Sequence, residues 1–161
     1  MKEQRKTCIM SEVMPPERAN FSGHIHGGYI MLLMDRAAYA CSARFSKKDV
    51  VTVSVDQVIF KEPIYVGELV TFAATVNYAG TTSLEVGIKV TAENVKTGVI
   101  RHTNSCYMNM VAIDEHGKPT AVPVLELITE RDKRRFHEAE KRRLLHREQT
   151  QRHQDIKSKH S

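Results

Sequence analysis

The chain has 161 residues, enough for one domain and an appendage, and its 41% apolar and 27% charged composition is that of an ordinary globular protein. No apolar run is long enough for a membrane-crossing helix, and the charged start MKEQRKTCIM lacks the apolar core of a secretory leader, so a cytoplasmic protein is expected. The net charge of +5 lies entirely in residues 130–161, which hold eleven Lys or Arg against six acids, so the body is neutral and no nucleic-acid or membrane partner is expected.

In chain order, residues 5–13 read as a short opening strand. MPPERANFSG is a loop, marked by two prolines and then Asn, Ser and Gly. From about Gly27 to Phe45 the chain is rich in Met, Leu and Ala and too long for a strand, which predicts a helix. It is apolar nearly all round, as a buried helix is. The period then changes to two. Val51, Val53 and Val55 alternate with Thr52 and Ser54. Val70, Phe72, Ala74, Val76 and Tyr78 share one face of the next strand. Leu84, Val86, Ile88, Val90 and Ala92 share a face of the third, and Cys106, Met108, Met110 and Ala112 a face of the last. AGTT (79–82) and NVKTG (94–98) are hairpin connections. The sign-alternating run ERDKRRFHEAEKRR opens a solvated helix that frays into its last residues. One apolar helix and a set of antiparallel strands predict a curved sheet wrapped around that helix. The exposed strand edges predict a dimer joined edge to edge.

Several residues carry candidate chemistry. Asp35 lies in the middle of the apolar helix. A carboxylate there must be paired or face a cleft, and burial of that kind suits a carboxyl group to general-base work. A structural ion pair, with Arg36 or a second subunit, is the other reading. Gly27 and Gly28 open the helix, where unobstructed backbone N–H groups meet a developing oxyanion. They equally let the loop turn into the helix. Asn20 orients a water or a carbonyl, or simply makes a turn. His24 and His26 form an HxH pair without a third ligand at metal spacing, so no metal is expected. Cys8, Cys41 and Cys106 form no CxxC pair and fit a reducing compartment.

The stretch ANFSGHIHGGYIMLLMD (19–35) closely resembles the acyl-CoA thioesterases of the hot-dog fold, in particular the long-chain acyl-CoA hydrolase group. VTVSVDQVIFKEPIYVGE (51–68), YMNMVAIDEHGKPTAVP (107–123) and ERDKRRF (130–136) match as well, so the resemblance covers about residues 5–140. It implies an α+β hot-dog domain over 1–125, with a long central helix wrapped by five or six antiparallel strands. A charged helical extension follows over 126–161, partly disordered at its end. It further implies hydrolysis of an acyl-CoA thioester to a fatty acid and CoA. Asp35 acts as general base or nucleophile, and Asn20 comes from the neighbouring protomer. Gly27 and Gly28 supply the oxyanion donors. Thr82, Ser83 and Lys61 are the candidates for holding CoA. No cofactor is implied, since CoA belongs to the substrate. A dimer is the minimum active unit and a hexamer the expected assembly. An acyl slot beside the helix would be lined by some of Met31, Met34, Tyr39 and Val58. Two alternatives stay open: a non-catalytic acyl-CoA-binding regulator, and a hot-dog hydratase or dehydratase using His24 or His26 as base.

Overall fold

A computed structural model describes residues 4–159. Strand β1 (Thr7–Val13) and a 3-10 turn (Pro16–Arg18) lead to helix α1 (Gly27–Ser46). Strands β2 (Asp49–Val55), β3 (Leu69–Ala79), β4 (Ser83–Glu93) and β5 (Ile100–Ile113) follow, and then helix α2 (Glu130–Ser158). The five strands form one antiparallel sheet in the order β1-β3-β4-β5-β2. The single long helix and the five-stranded sheet are those of the expected hot-dog architecture. The chain divides into two compact units, the first ending at Val124 and the second beginning at Leu125.

The core of the first unit is the inner face of the sheet. Val70, Phe72, Ala74 and Val76 of β3 point inward with Leu84, Val86, Ile88, Val90 and Ala92 of β4. Cys106, Met108, Met110 and Ala112 of β5 complete the layer. Against it α1 lays Ile30, Leu33, Met34, Ala37, Ala38, Cys41 and Phe45, the three-and-four spacing of one helical face. β3 departs from simple alternation. A register shift between Val76 and Tyr78 turns Asn77 into a buried position and pairs Tyr78 with Glu85, so Tyr78 leaves the inner face.

Two expectations are corrected. The helix is not buried all round: Met31, Leu32 and Tyr39 are exposed, because one sheet covers only one side of a helix. In β2 the alternation is broken by a register shift between Thr52 and Ser54. Val51 pairs with Val111 on the outer side of the sheet, Thr52 turns toward α1, and Val55 pairs with Met108 of the inner layer. β2 is an outer strand, and all three of its valines Val51, Val53 and Val55 are exposed.

In the second unit α2 starts with a capping box. Thr129 Oγ1 accepts the Asp132 N–H, and the Asp132 carboxylate accepts the Thr129 N–H. The helix runs through the segment read as its fraying end, as far as Ser158. Among the described residues no helix is long and apolar enough to cross a membrane.

Burial pushes the thiols of Cys41 and Cys106 up to about 12. Both side chains remain neutral and enclosed at pH 8, so a disulfide reagent added to native protein labels neither; unfolding in guanidinium exposes them. Unfolded thiols ionise near 9. The native state therefore loses stability as pH rises from about 9 toward 12, which urea titrations across that range will show.

Candidate active site

Asp35 lies on the outward side of α1, half-buried, in line with Gly28, Met31, Leu32 and Tyr39. The expected burial among apolar side chains is therefore not met within one chain, because its helical face is the one the sheet leaves uncovered. Its one hydrogen bond among the described residues comes from β2: Thr52 Oγ1 donates to Asp35 Oδ1 at 2.5 Å. Thr52 was not a sequence candidate. Thr52 pairs with Met110 of the inner layer, and that register turns its hydroxyl toward the helix.

The N-terminus of α1 is the second part of the site. His26 gives it no side-chain cap, and the N–H groups of Gly27 and Gly28 meet no acceptor among the described residues. The ring of Phe60 stands 3.3 Å from where a Cβ on Gly27 would be, whereas a Cβ on Gly28 would meet only open space. A cleft of about 360 Å³ opens here, lined by His24, Gly27, Ile30, Phe60, Lys61 and Ile64 among others. The loop that leads in is held tightly. The Asn20 N–H donates to His24 O at 2.6 Å, and Asn20 Oδ1 accepts the N–H groups of Ser22 and His24 at 2.9 and 3.1 Å. Gly23, at φ +79°, closes that turn in a conformation that favours glycine. The Ile25 N–H donates to Ile64 O at 2.8 Å and that of His26 to Arg18 O at 2.9 Å. With its oxygen committed to the loop, Asn20 keeps Nδ2 as a donor with no partner among the described residues.

Tyr29 ties this end of the helix to β1. Its hydroxyl donates to Glu12 Oε1 at 2.7 Å, which raises the phenol above its ordinary range, and the Arg18 guanidinium lies 4.8 Å from the ring centre.

The chain does not bring all of its candidates together. Gly28 and Asp35 are seven residues apart on one helix, roughly 10 Å along its axis at about 1.5 Å per residue. No hydrogen bond links Asn20 to Asp35. Lys61 lines the cleft, and its N–H donates to Thr103 O beside Val90. Thr82 and Ser83 lie at the β3–β4 hairpin, seven residues back along β4 from Val90, a span of roughly 23 Å at about 3.3 Å per residue. The three CoA candidates therefore form two separate groups within one chain. His24 packs its ring edge-on against Tyr65, with centroids 5.2 Å apart. Among the described residues no three His, Cys, Asp or Glu side chains are grouped to hold a metal. Of the residues proposed to line an acyl slot, Met34 is fully buried under Asn104 Nδ2, while Met31 and Tyr39 stand exposed on the side of Asp35.

A five-stranded antiparallel sheet around one long helix is the hot-dog arrangement. The model of the thioesterase superfamily matches residues 22–99. The chain is 52% identical over 139 residues to protein VdlD of Helicobacter pylori, covering 86% of this chain and 79% of that one. It is 33% identical to the uncharacterized acyl-CoA thioester hydrolase YkhA of Bacillus subtilis, covering 75% of this chain and 70% of that one. A hexameric acyl-CoA thioesterase solved in its apo form superposes with a TM-score of 0.87 at 33% identity, covering 91% of this chain and 94% of that one. The chain belongs to the acyl-CoA thioester hydrolases of the thioesterase superfamily. Staphylococcus aureus acyl-CoA hydrolase, solved with butyryl-CoA and CoA, is 27% identical with a TM-score of 0.83, covering 96% of this chain and 93% of that one. It has also been solved with alanine replacing an asparagine, an aspartate fifteen residues later and a threonine seventeen residues beyond that. Asn20, Asp35 and Thr52 have these same two spacings.

The two glycines will answer differently to substitution. Gly28→Ala holds or raises stability by up to about 1 kcal/mol, since alanine favours a helix. Gly27→Ala falls below it, because its methyl displaces Phe60. Urea unfolding of both variants beside wild type checks the order.

Proposed function

We propose that this chain hydrolyses acyl-CoA thioesters to free acid and CoA at a site completed by a second copy. The observation that carries this reading is the placement of an open N–H at Gly28 and a carboxylate at Asp35 on the same outward side of α1. They are roughly 10 Å apart, too far to serve one carbonyl. The exposed Met31 and Leu32 stand midway between them. Two α1 helices packed antiparallel about that midpoint set each Asp35 beside the partner's Gly28 and bury the apolar residues between. The unpaired edge of β2, with its exposed valines, is where the two sheets join. The hexameric assembly of the superposing thioesterase supports three such dimers as the full oligomer. Cytoplasmic residence belongs to the same reading.

The chemistry follows from the groups so placed. The thioester carbonyl accepts from the Gly28 N–H at the positive end of the helix dipole, which stabilises the oxyanion as it forms. Asp35 takes a proton from water as the water oxygen bonds to the carbonyl carbon. The C–S bond then breaks and that proton passes to the CoA thiolate. In the second route the Asp35 carboxylate itself attacks, and water cleaves the resulting anhydride. Thr52 holds Asp35 Oδ1 and leaves Oδ2 for the reaction. Asn20 Nδ2 is the donor that fixes the water or the carbonyl. The substitutions made in the S. aureus hydrolase at the matching spacings support this set. Lys61 in the cleft is the candidate for the pantetheine and phosphate arm. Water is the only co-reactant, and no cofactor is called for.

Thiol release from acyl-CoAs of C2 to C18 tests the reading. Wild type releases CoASH. Asp35→Asn loses about 10²- to 10⁴-fold in kcat while remaining folded, and Asn20→Ala and Thr52→Val lose smaller factors. Binding of acyl-CoA without release would replace hydrolysis by a regulatory role. The shared site has its own test: subunits of Asp35→Asn and Asn20→Ala, unfolded together and refolded, regain about a quarter of wild-type activity, because half the dimers then hold one intact site of two. No recovery would mean that the two residues act within one chain.

A further inference from the structure

We infer that Arg101 is a positioning residue for this reaction, holding the loop that shapes the oxyanion end of the site; the inference rests on the hydrolase reading. Arg101 stands near the start of β5, where its backbone pairs with Ala92. Its side chain makes no use of the sheet. Nη2 donates to both carboxylate oxygens of Glu68 at 2.8 Å, and Nη1 donates to Glu62 Oε2 at 2.8 Å and to Pro63 O at 3.1 Å. The guanidinium also lies 5.7 Å from the ring centre of Tyr65. Every one of these partners belongs to the connection between β2 and β3. Glu68 is 9% exposed and Arg101 25%, so the pair is shielded from solvent and its geometry is charge-assisted.

From Arg101 the contacts lead toward the site. Glu68 Oε2 accepts the Tyr65 N–H at 2.9 Å. Tyr65 forms an isolated antiparallel bridge with His24 and meets its ring edge-on. Ile64 O accepts the Ile25 N–H, and Phe60 of the same connection packs over Gly27. The backbone of His24 bonds to Asn20 in both directions, and its N–H is one of the two that Asn20 Oδ1 accepts. Arg101 therefore fixes the 60–65 segment, which fixes His24 and Ile25, which set where Asn20 Nδ2 and the Gly28 N–H point. A surface ion pair would contribute little here. This one joins the loop to β5 beside backbone hydrogen bonds such as Lys61 N to Thr103 O.

The test uses the full-length protein, with Arg101→Gln, Arg101→Lys, Asn20→Ala and the double variant Arg101→Gln/Asn20→Ala. A displaced donor costs up to about a hundredfold, so Arg101→Gln is expected to lower kcat by between about ten- and a hundredfold. Arg101→Lys, which retains one contact to Glu68, recovers part of this. The double variant is expected to be slower than Asn20→Ala by less than the full Arg101→Gln factor, because the two changes share the Asn20 part of the alignment and only the Gly28 part is left to lose. A general loss of stability would instead multiply the two effects. Amide hydrogen exchange read by mass spectrometry should speed up over 20–28 and 60–65 in Arg101→Gln, with β3 and β4 as protected as in wild type. A kcat within twofold of wild type, multiplying effects, or unchanged exchange over 20–28 would overturn the inference. If Arg101→Gln does not fold, Arg101→Lys carries the same comparisons. If wild type itself releases no CoASH, the hydrolase reading fails, and the exchange data still decide whether Arg101 holds the loop.

Discussion

One helix can bury only one side against one sheet, and the rest of this molecule is arranged around that limit. The inner face of α1, from Ile30 to Phe45, closes the core. The outer face must carry something, and it carries Gly28, Met31, Leu32, Asp35 and Tyr39 in one stripe. Apolar residues left in water are a cost that a second copy removes. A carboxylate placed among them is half-buried in one chain, and in the proposed site it is a second copy that encloses it. Assembly and activation of Asp35 are then a single event in the proposed site.

The loops before α1 and after β2 are held by specific contacts of their own. Asn20 spends its oxygen on its own turn, Gly23 supplies the positive φ, and Phe60 lies flat against the missing side chain of Gly27. Preorganised donors stabilise charge without rearranging during the reaction, which is where such donors gain their strength. In the proposed site the Thr52 hydroxyl does the corresponding service for Asp35, whose Oδ1 it holds.

Most of the architecture was legible in the sequence, since period-two alternation and the apolar run from Tyr29 are local signals. The helix and all five strands lie within two residues of where those signals put them. What failed depended on neighbours. The alternation of β2 is interrupted by a register shift between Thr52 and Ser54, which no residue type announces, and its valines stand exposed at a sheet edge. Tyr78 was assigned inward because the register shift beside Asn77 has no residue signature. Asp35, Asn20 and the two glycines stood out by type and spacing. Thr52 did not, because a threonine alternating with valines is ordinary, and only the packing of β2 beside α1 gives it a carboxylate. Thr82, Ser83 and Lys61 appeared as one group by chemistry, while the topology sets them at different ends of the sheet.

The strand order also bears on how the molecule comes together. β3, β4 and β5 are successive hairpins, with short turns at 79–82 and 94–99. The two outer strands are different: Thr7 pairs with Thr75 and Asp49 with Ile113, closing loops of 68 and 64 residues. Closing a loop of that size costs roughly 1–2 kcal/mol more entropy than closing a ten-residue hairpin. The central three strands therefore have the kinetic advantage, and β1, α1 and β2 dock onto them afterwards. The helix that displays Asp35 and the strand that supplies Thr52 are among the last pieces in place. A full-length chain refolding from the unfolded state would thus have its sheet before its chemistry, and the face of α1 that the proposed dimer buries would form only once the rest is nearly complete.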